Sequence, residues 1–585
     1  MLAMLALPAG ALAGPQGGQV QQGDASISVN GSQTTIDQRT NKAIINWHSF
    51  GIDLNESAVF NQPGSNAIAL NRVTGSDPSN ILGALRSNGQ VWLVNRNGVM
   101  FGKSATVDVH GLVATTADIP DAKFLADDYK FSIPSTDPNA GIINEGTISF
   151  GERGLAALVG SNVRNSGVIA GRLGSVVIAG APTFTIALDP QDGGLIQFAA
   201  TSQVTSALAG QPLVENTGEI RNDGGLIRLT ASAADGVVDE AINTSGLIEA
   251  NGLALQDGRI ELVNNTEGGV VVDGRLVASN IDLFAGNTML IDGTVVSSDS
   301  IIIDAEHLTI GGAVTSDGDV RLRGKSIATV SEGEVTAKRL DVASKASPHH
   351  PAGGGTLSLK TDVDEIAIGK TQANKTHFRE ATIVNDGDLI ISQIDSNGID
   401  VGQFKLQMDG ALSINRPIVA TASGDAVVIV TGRFVNGVGG GALQTPQGRA
   451  LVYSTDPNID DRGGLDGSLL FDKSFDDAPP GSIGIPGNVF IYSSDPTPAP
   501  APSPEPAPAP APAPAQQPQL NAFQIAQVTQ STVVPASDVA ETAITAESRL
   551  IRLPATSTNE DDSESNDLLF ANDGNRELWG LSGGR

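Results

Sequence analysis

Six histidines are scattered over 585 residues, and only His349 and His350 are neighbours. None sits in an H-E-x-x-H helix, and with no cysteine in the chain no thiolate can complete a zinc site. The pair runs into Pro351 and three glycines, the composition of a surface loop rather than a metal centre. No nucleophile elbow, phosphate-binding loop or dinucleotide fingerprint occurs. Asp395-Ser396-Asn397-Gly398 and Gly463-Gly464-Leu465-Asp466-Gly467 resemble pieces of calcium loops. Each occurs once and lacks the full ligand set, so both read as ordinary turns. No run places two carboxylates at glycosidase spacing. The expectation is a chain with no catalytic residue, no metal and no cofactor.

The elements that would carry any site are short and repetitive. One refrain reads Ile143-Asn144-Glu145-Gly146-Thr147-Ile148. It returns at Val163 to Ile169, at Val214 to Ile220 and, more loosely, at Ile242 to Ile248, each time with Asn and Gly between two short apolar runs. A second refrain follows, at Ser175 to Ile178, Gly194 to Phe198, Gly225 to Leu229, Gly258 to Leu262, Asn280 to Phe284, Ser300 to Ile303, Asp319 to Leu322 and Lys338 to Val342. From Asn280 it recurs about every 20 residues, a solenoid period. The chain has 68 glycines and is only 4% aromatic, which suits a thin core of small and β-branched residues. Each repeat is therefore expected to be a coil of short strands that stacks on the coil below. Its corners would use Asn and Gly in left-handed conformations. The fold class is all-β, a right-handed parallel β-helix; a stack of β-sandwiches would also show regular short strands, but the period and the scarcity of aromatics favour the helix. Residues 14 to about 130 are the least repetitive, and the period weakens after Pro348.

The net charge of -30 argues against nucleic acid as a partner, because phosphates need clustered Lys and Arg. At the amino end, Met1 to Leu7 is apolar and Ala11-Leu12-Ala13 has the form of a signal-peptidase site. Ordered structure is expected to end near Asp495. Residues 496–518 alternate Pro with Ala, an extended spacer reaching on the order of 70 Å at ~3.1 Å per residue. The tail is polar and acidic and is expected to be largely disordered, with one helix between Asp538 and Pro554. It lacks the alternating strands of a membrane barrel, so a separate translocator is expected.

Between Ile44 and Ile119 many short blocks follow one another: Ile45-Asn46-Trp47-His48-Ser49-Phe50, Phe60-Asn61-Gln62-Pro63, Ala69-Leu70-Asn71-Arg72-Val73, Asp77-Pro78-Ser79-Asn80, and Asn88 to Val99. Phe101-Gly102, Val107-Asp108-Val109 and Gly111 to Thr116 complete the series. In order and spacing this resembles the haemagglutination-activity, or two-partner secretion, domain of filamentous haemagglutinin-like exoproteins, in particular the high-molecular-weight adhesin branch. The resemblance is specific over roughly residues 20–180. It implies export by the Sec route and the periplasm of a Gram-negative bacterium, then capture of the still-extended chain by an outer-membrane partner transporter. It also implies folding outside, amino end first. Asn71, Arg72, Asp77, Pro78, Asn95, Arg96, Asn97 and Gly98 are the partner-recognition residues it implies. The family's Asn-Pro-Asn-Gly is here Asn95-Arg96-Asn97-Gly98, a turn less preorganised for lack of Pro.

The organisation expected is a signal remnant at 1–13, a secretion domain at 14–275 with an amino-terminal cap, and continued β-helix repeats at 276–345. An irregular β-rich or β-helix extension at 346–495, the Pro/Ala linker at 496–518 and the acidic tail at 519–585 follow. The expected function is a secreted or cell-surface adhesin or structural rod, with a host or neighbouring-cell receptor or glycan as its target. A secreted β-helix carbohydrate-active enzyme is the alternative, because coils distant in sequence could assemble carboxylates in one groove.

Overall fold

The computed structural model describes residues 14–496, apart from 192, 207–210, 235, 254–255, 346–353, 371–376 and 393–397. The signal remnant, His349–His350, most of the Asp395–Gly398 turn, nearly all of the Pro/Ala linker and the tail lie outside the described residues.

Strands with alternating apolar residues bury one face, and here that face is stacked coil on coil. Leu226–Ala231 turns Ile227, Leu229 and Ala231 inward. Ile227 sits in register on Ile260, Ile260 on Ile281, Ile281 on Ile301, and Ile301 on Val320. Backbone hydrogen bonds run parallel from coil to coil, and 46 strands join in one continuous sheet that winds into a β-solenoid of about 19 turns. Each coil presents three faces. One complete coil is Ile142–Asn144, Thr147–Phe150 and Leu155–Gly160; the next is Val163–Asn165, Val168–Arg172 and Ser175–Gly180. The amino end is closed by antiparallel strands, Ala25–Asn30 on Gln33–Gln38 and Gln19–Gln22 on Lys42–Trp47.

Inside the corner after the first face runs a polar column. Asn144 Nδ2 donates to Asn165 Oδ1 at 2.7 Å, Asn165 Nδ2 to Asn216 Oδ1 at 2.7 Å, and Asn216 Nδ2 to Thr244 Oγ1 at 3.3 Å. All four residues are buried. Each amide thus satisfies the next, which removes the cost of placing polar groups in an apolar core.

Two sequence expectations need correction. The refrain's corners do not use left-handed backbone: Gly146, Gly167, Gly218 and Gly246 are absent from the positive-φ residues. Glycine is needed there for close approach. A Cβ at Gly167 would lie 2.1 Å from the Gly146 carbonyl oxygen, and one at Gly218 would lie 2.2 Å from that of Gly167. Gly194 to Phe198 is not part of a coil; Leu195–Ala200 belongs to a separate antiparallel sheet. The stretch before residue 130, the least repetitive in sequence, is stacked like the rest, with Gln33–Gln38 on Ser57–Asn61 and Lys42–Trp47 on Ile68–Val73. Corner segments of unequal length hide that periodicity from the sequence. After Pro348 the ladders persist as well: Glu380–Asn385, Gln403–Met408, Gly424–Val430, Gly448–Ser454 and Val489–Tyr492 stack in order.

Candidate functional site

Asn95 to Gly98 forms the corner between Gln90–Val94 and Val99–Phe101. The Asn95 side chain is fully buried. Its Nδ2 donates to the Asp77 carbonyl and to Ser79 Oγ, both at 3.0 Å, and its Oδ1 accepts from the Asn97 amide at 2.9 Å. Asn97 Nδ2 donates to the Gly75 carbonyl at 3.0 Å, and the Gly98 amide donates to the Asn95 carbonyl at 3.0 Å. Only Gly98 takes a left-handed angle, φ 108°. Coils on both sides hold this corner: Asn95 donates its amide to Thr115 on one side, and the Gly98 carbonyl accepts from Ser79 on the other. Arg96 reaches outward, donating through Nη2 to the Pro134 carbonyl at 3.0 Å. Its own backbone amide makes no hydrogen bond among the described residues, so the family's proline would remove no donor in use.

The other implied recognition residues divide in two. Asn71 is interior, accepting from Trp47 Nε1 at 3.0 Å. Arg72 is a latch: Nε and Nη1 each contact a carboxylate at 2.8 Å, those of Asp118 and Asp121, and Nη2 donates to the Ile119 carbonyl at 2.7 Å. Asp77 and Pro78 are exposed one coil away from Asn95, whose amide binds the Asp77 carbonyl. The structure therefore brings Asp77, Pro78 and Asn95 to Gly98 together at one corner, while Asn71 and Arg72 serve the third face.

Arg72 anchors a feature not anticipated from sequence. Two excursions, 116–141 and 181–213, leave the solenoid at the same corner. They combine Tyr129–Phe131, Phe184–Leu188 and Leu195–Ala200 into an antiparallel sheet, preceded by the short helix Asp121–Leu125. This sheet covers the outer surface of the third face. Trp92 packs against Phe124, Tyr129 and Phe131 with ring centroids 5.7, 4.8 and 5.7 Å apart, and Phe131 stacks on Phe184 at 4.4 Å. Lys42 is a second latch, donating to the Phe124 and Leu125 carbonyls at 3.0 Å and meeting Asp127 at 2.7 Å. Burial pushes the Asp127 carboxyl up, but Lys42 and the Tyr129 hydroxyl outweigh it and hold the group below its ordinary range. The sequence signal was there to be read. Gln90–Val94, Leu155–Gly160 and Ser175–Gly180 are buried at every position, whereas Leu226–Ala231 alternates. The cover ends where Arg228 enters the outer row, donating Nη1 to the Phe198 carbonyl at 3.4 Å.

Residues 11–278 match the family model described as the TPS secretion domain, the stretch that holds the cap, the Asn95–Gly98 corner and the covering sheet. The chain carries a TPS secretion domain. The chain is 34% identical over 258 residues to a heme/hemopexin-binding protein of Haemophilus influenzae strain Rd, over 42% of this chain and 27% of that one. A second Haemophilus influenzae heme/hemopexin-binding protein is 29% identical over 279 residues, 43% of this chain and 29% of the relative. The chain thus spans less than a third of the length of these curated relatives. Among solved structures, the HMW1 secretion domain from Haemophilus influenzae aligns with TM-score 0.40 and 21% identity, over 82% of this chain and 100% of that one. A TPS secretion domain marks a two-partner-secreted exoprotein, secreted through the outer membrane of Gram-negative bacteria, and implies a transporter there. The matched family is one of secretion domains, and no enzyme family is indicated.

Proposed function

We propose that this chain passes through the periplasm after Sec export, is captured unfolded by an outer-membrane partner transporter, and folds outside into an adhesive or structural rod. One observation carries the order of these events. In the folded corner the side-chain amides of Asn95 and Asn97 already donate to the preceding coil, and Asn95 Oδ1 is taken by the Asn97 backbone amide. A transporter that reads these side chains has to do so before the coils close over them. Asp77 and Pro78 remain the exposed parts of the corner after folding. Deleting the partner transporter gene is expected to strand the chain in the periplasm; unchanged surface protein defeats the export reading. Asn97→Ala is expected to lower the extracellular fraction more than it lowers the stability of refolded protein. Equal losses would make the corner a folding element alone. For the rod reading, purified protein is expected to bind host or neighbouring cells saturably, and absence of binding counts against adhesion.

A second reading rests on the names of the curated relatives: the solenoid beyond residue 278 would bind hemopexin or haem. Capture of haem-loaded hemopexin by immobilised full-length chain tests it, with free haem as the second arm.

A further inference from the structure

Six asparagines are followed directly by glycine: Asn30, Asn88, Asn97, Asn251, Asn397 and Asn436. In such a pair the glycine amide nitrogen can attack the side-chain carboxamide carbon, because no Cβ crowds the approach. The new N–C bond closes a five-membered succinimide and ammonia leaves. Water then opens the ring to aspartate or to isoaspartate. Two groups must be free for this, the attacking amide and the carboxamide that turns toward it. Asn397 lies outside the described residues, and the fold treats the other five unequally. At Asn88, Nδ2 donates to the Gln62 carbonyl at 2.7 Å, Oδ1 accepts from the Gln62 amide at 2.8 Å, and the Gly89 amide donates to Ser87 Oγ at 3.0 Å. Asn97 Nδ2 donates to the Gly75 carbonyl and to Asn95 Oδ1 at 3.0 and 3.1 Å, and the Gly98 amide is taken by the Asn95 carbonyl. Asn436 Nδ2 donates to the Gly439 and Arg462 carbonyls at 2.9 and 2.8 Å, and the Gly437 amide to the Ile414 carbonyl at 2.9 Å. Asn251 is held on one side only: Nδ2 donates to Glu249 Oε1 at 2.7 Å, while the Gly252 amide makes no hydrogen bond among the described residues. Asn30 is held on neither. Its exposed side chain and the Gly31 amide make no hydrogen bond among the described residues, and a Cβ at Gly31 would have nothing within 4 Å.

We propose that Asn30 is the residue at which the folded protein deamidates, so that the amino-terminal hairpin is the part of the solenoid that ages chemically. Isoaspartate routes the main chain through the former side chain and adds one carbon between residues 30 and 31. The extra carbon falls at the Asn30–Gln33 pair, which closes the hairpin of Ala25–Asn30 and Gln33–Gln38. Ala25–Asn30 pairs with no other strand among the described residues, and its Ile27 packs against the core. A pair thrown out of register there loosens the closure over the amino end while the coils beneath keep their own ladders. The inference goes beyond the export reading and does not depend on it, because it concerns the folded chain however it reached its destination.

The test is incubation of the full folded chain at mildly alkaline pH in heavy-oxygen water, beside the same chain unfolded in urea, with peptide mapping by mass spectrometry. A held pair must first open, and each hydrogen bond broken slows it by a factor of about ten, so Asn30 is expected to convert at least about tenfold faster than Asn88, Asn97 and Asn436, with Asn251 between. In urea the five are expected to convert at similar rates. Asn30→Gln is expected to remove the fast label, because a six-membered ring closes far more slowly, and to leave the urea midpoint unchanged. In aged protein, amide hydrogen exchange is expected to rise at Ala25–Asn30 and to hold at Ser57–Asn61. Conversion of Asn97 or Asn436 as fast as Asn30 in the folded chain, an equal lead of Asn30 in urea, or a fast label that survives Asn30→Gln each overturns the assignment. Unchanged exchange at Ala25–Asn30 in fully converted protein overturns the ageing of the hairpin.

Discussion

Replacing Asn165 with alanine cuts the asparagine column at its middle. Asn144 Nδ2 loses its acceptor and Asn216 Oδ1 its donor, both buried where water cannot substitute. Asn144 Oδ1 still accepts from the Gly146 amide at 3.2 Å, so the damage falls on two groups rather than three. Each stranded buried group costs about 1–3 kcal/mol, so the loss from two is about 2–6 kcal/mol. Asn165→Thr should cost about half as much, since a hydroxyl already serves as the column's partner at Thr244 and keeps one of the two bonds. Stacked coils share stability mainly with nearest neighbours, so the effect should be local. Native-state hydrogen exchange read by mass spectrometry on the full chain separates the possibilities. Protection is expected to fall at Ile142–Asn144, Val163–Asn165 and Val214–Asn216 and to hold at Ile399–Val401. Unchanged protection beside Asn165, or an even loss along the whole solenoid, would refute the reasoning.

Other perturbations test separate parts of the account. Gly218→Ala should destabilise by about 1–3 kcal/mol, because the new Cβ meets backbone of the coil below. Gly441→Ala, with open space and no positive φ, should be neutral or stabilising by about 0.4–1 kcal/mol; equal urea midpoints for the two would refute the packing explanation. Arg96→Pro, restoring the family's turn, should stabilise the corner by up to about 1 kcal/mol, checked by urea denaturation, because no amide hydrogen bond is lost. The depressed Asp127 carboxyl contributes stability above the ordinary carboxylate range and loses it as pH falls through the folded value. Acidification below that range should therefore loosen the Trp92–Tyr129 cluster in near-UV dichroism. Lys42→Met should flatten that acid dependence, and an unchanged acid transition would remove Lys42 from the account.

Coil stacking was legible where corners are short and equal. From Asn280 the register steps through Ser300, Asp319 and Arg339, and the sequence shows the same spacing. It was hidden wherever the chain leaves the coil, because the insertions 116–141 and 181–213 break the count without breaking the ladder. Leu195–Ala200 shows why alternation misleads: an exposed Ile196 beside a buried Phe198 reads like a coil strand, yet it covers one. The role of the refrain's glycines could not be read from types alone, since φ and close approach both demand the same residue. The Asn95–Gly98 corner was located by resemblance. What its side chains touch was visible only once the coils before and after it were in place.

The covering sheet sets a minimum length for the folded amino-terminal part. Ile44, Leu70, Trp92, Val113, Leu155 and Val177 all point away from the solenoid interior; Phe124, Tyr129 and Phe131 cover part of this row, and Phe184 and Phe198 complete the seal. A nascent chain that has emerged as far as Gly180 can wind its coils, but part of that apolar row is still open on one side. Some twenty residues more and the row is roofed. Fragments ending short of Ala200 should therefore be sticky, and those ending just past it should be soluble and self-contained.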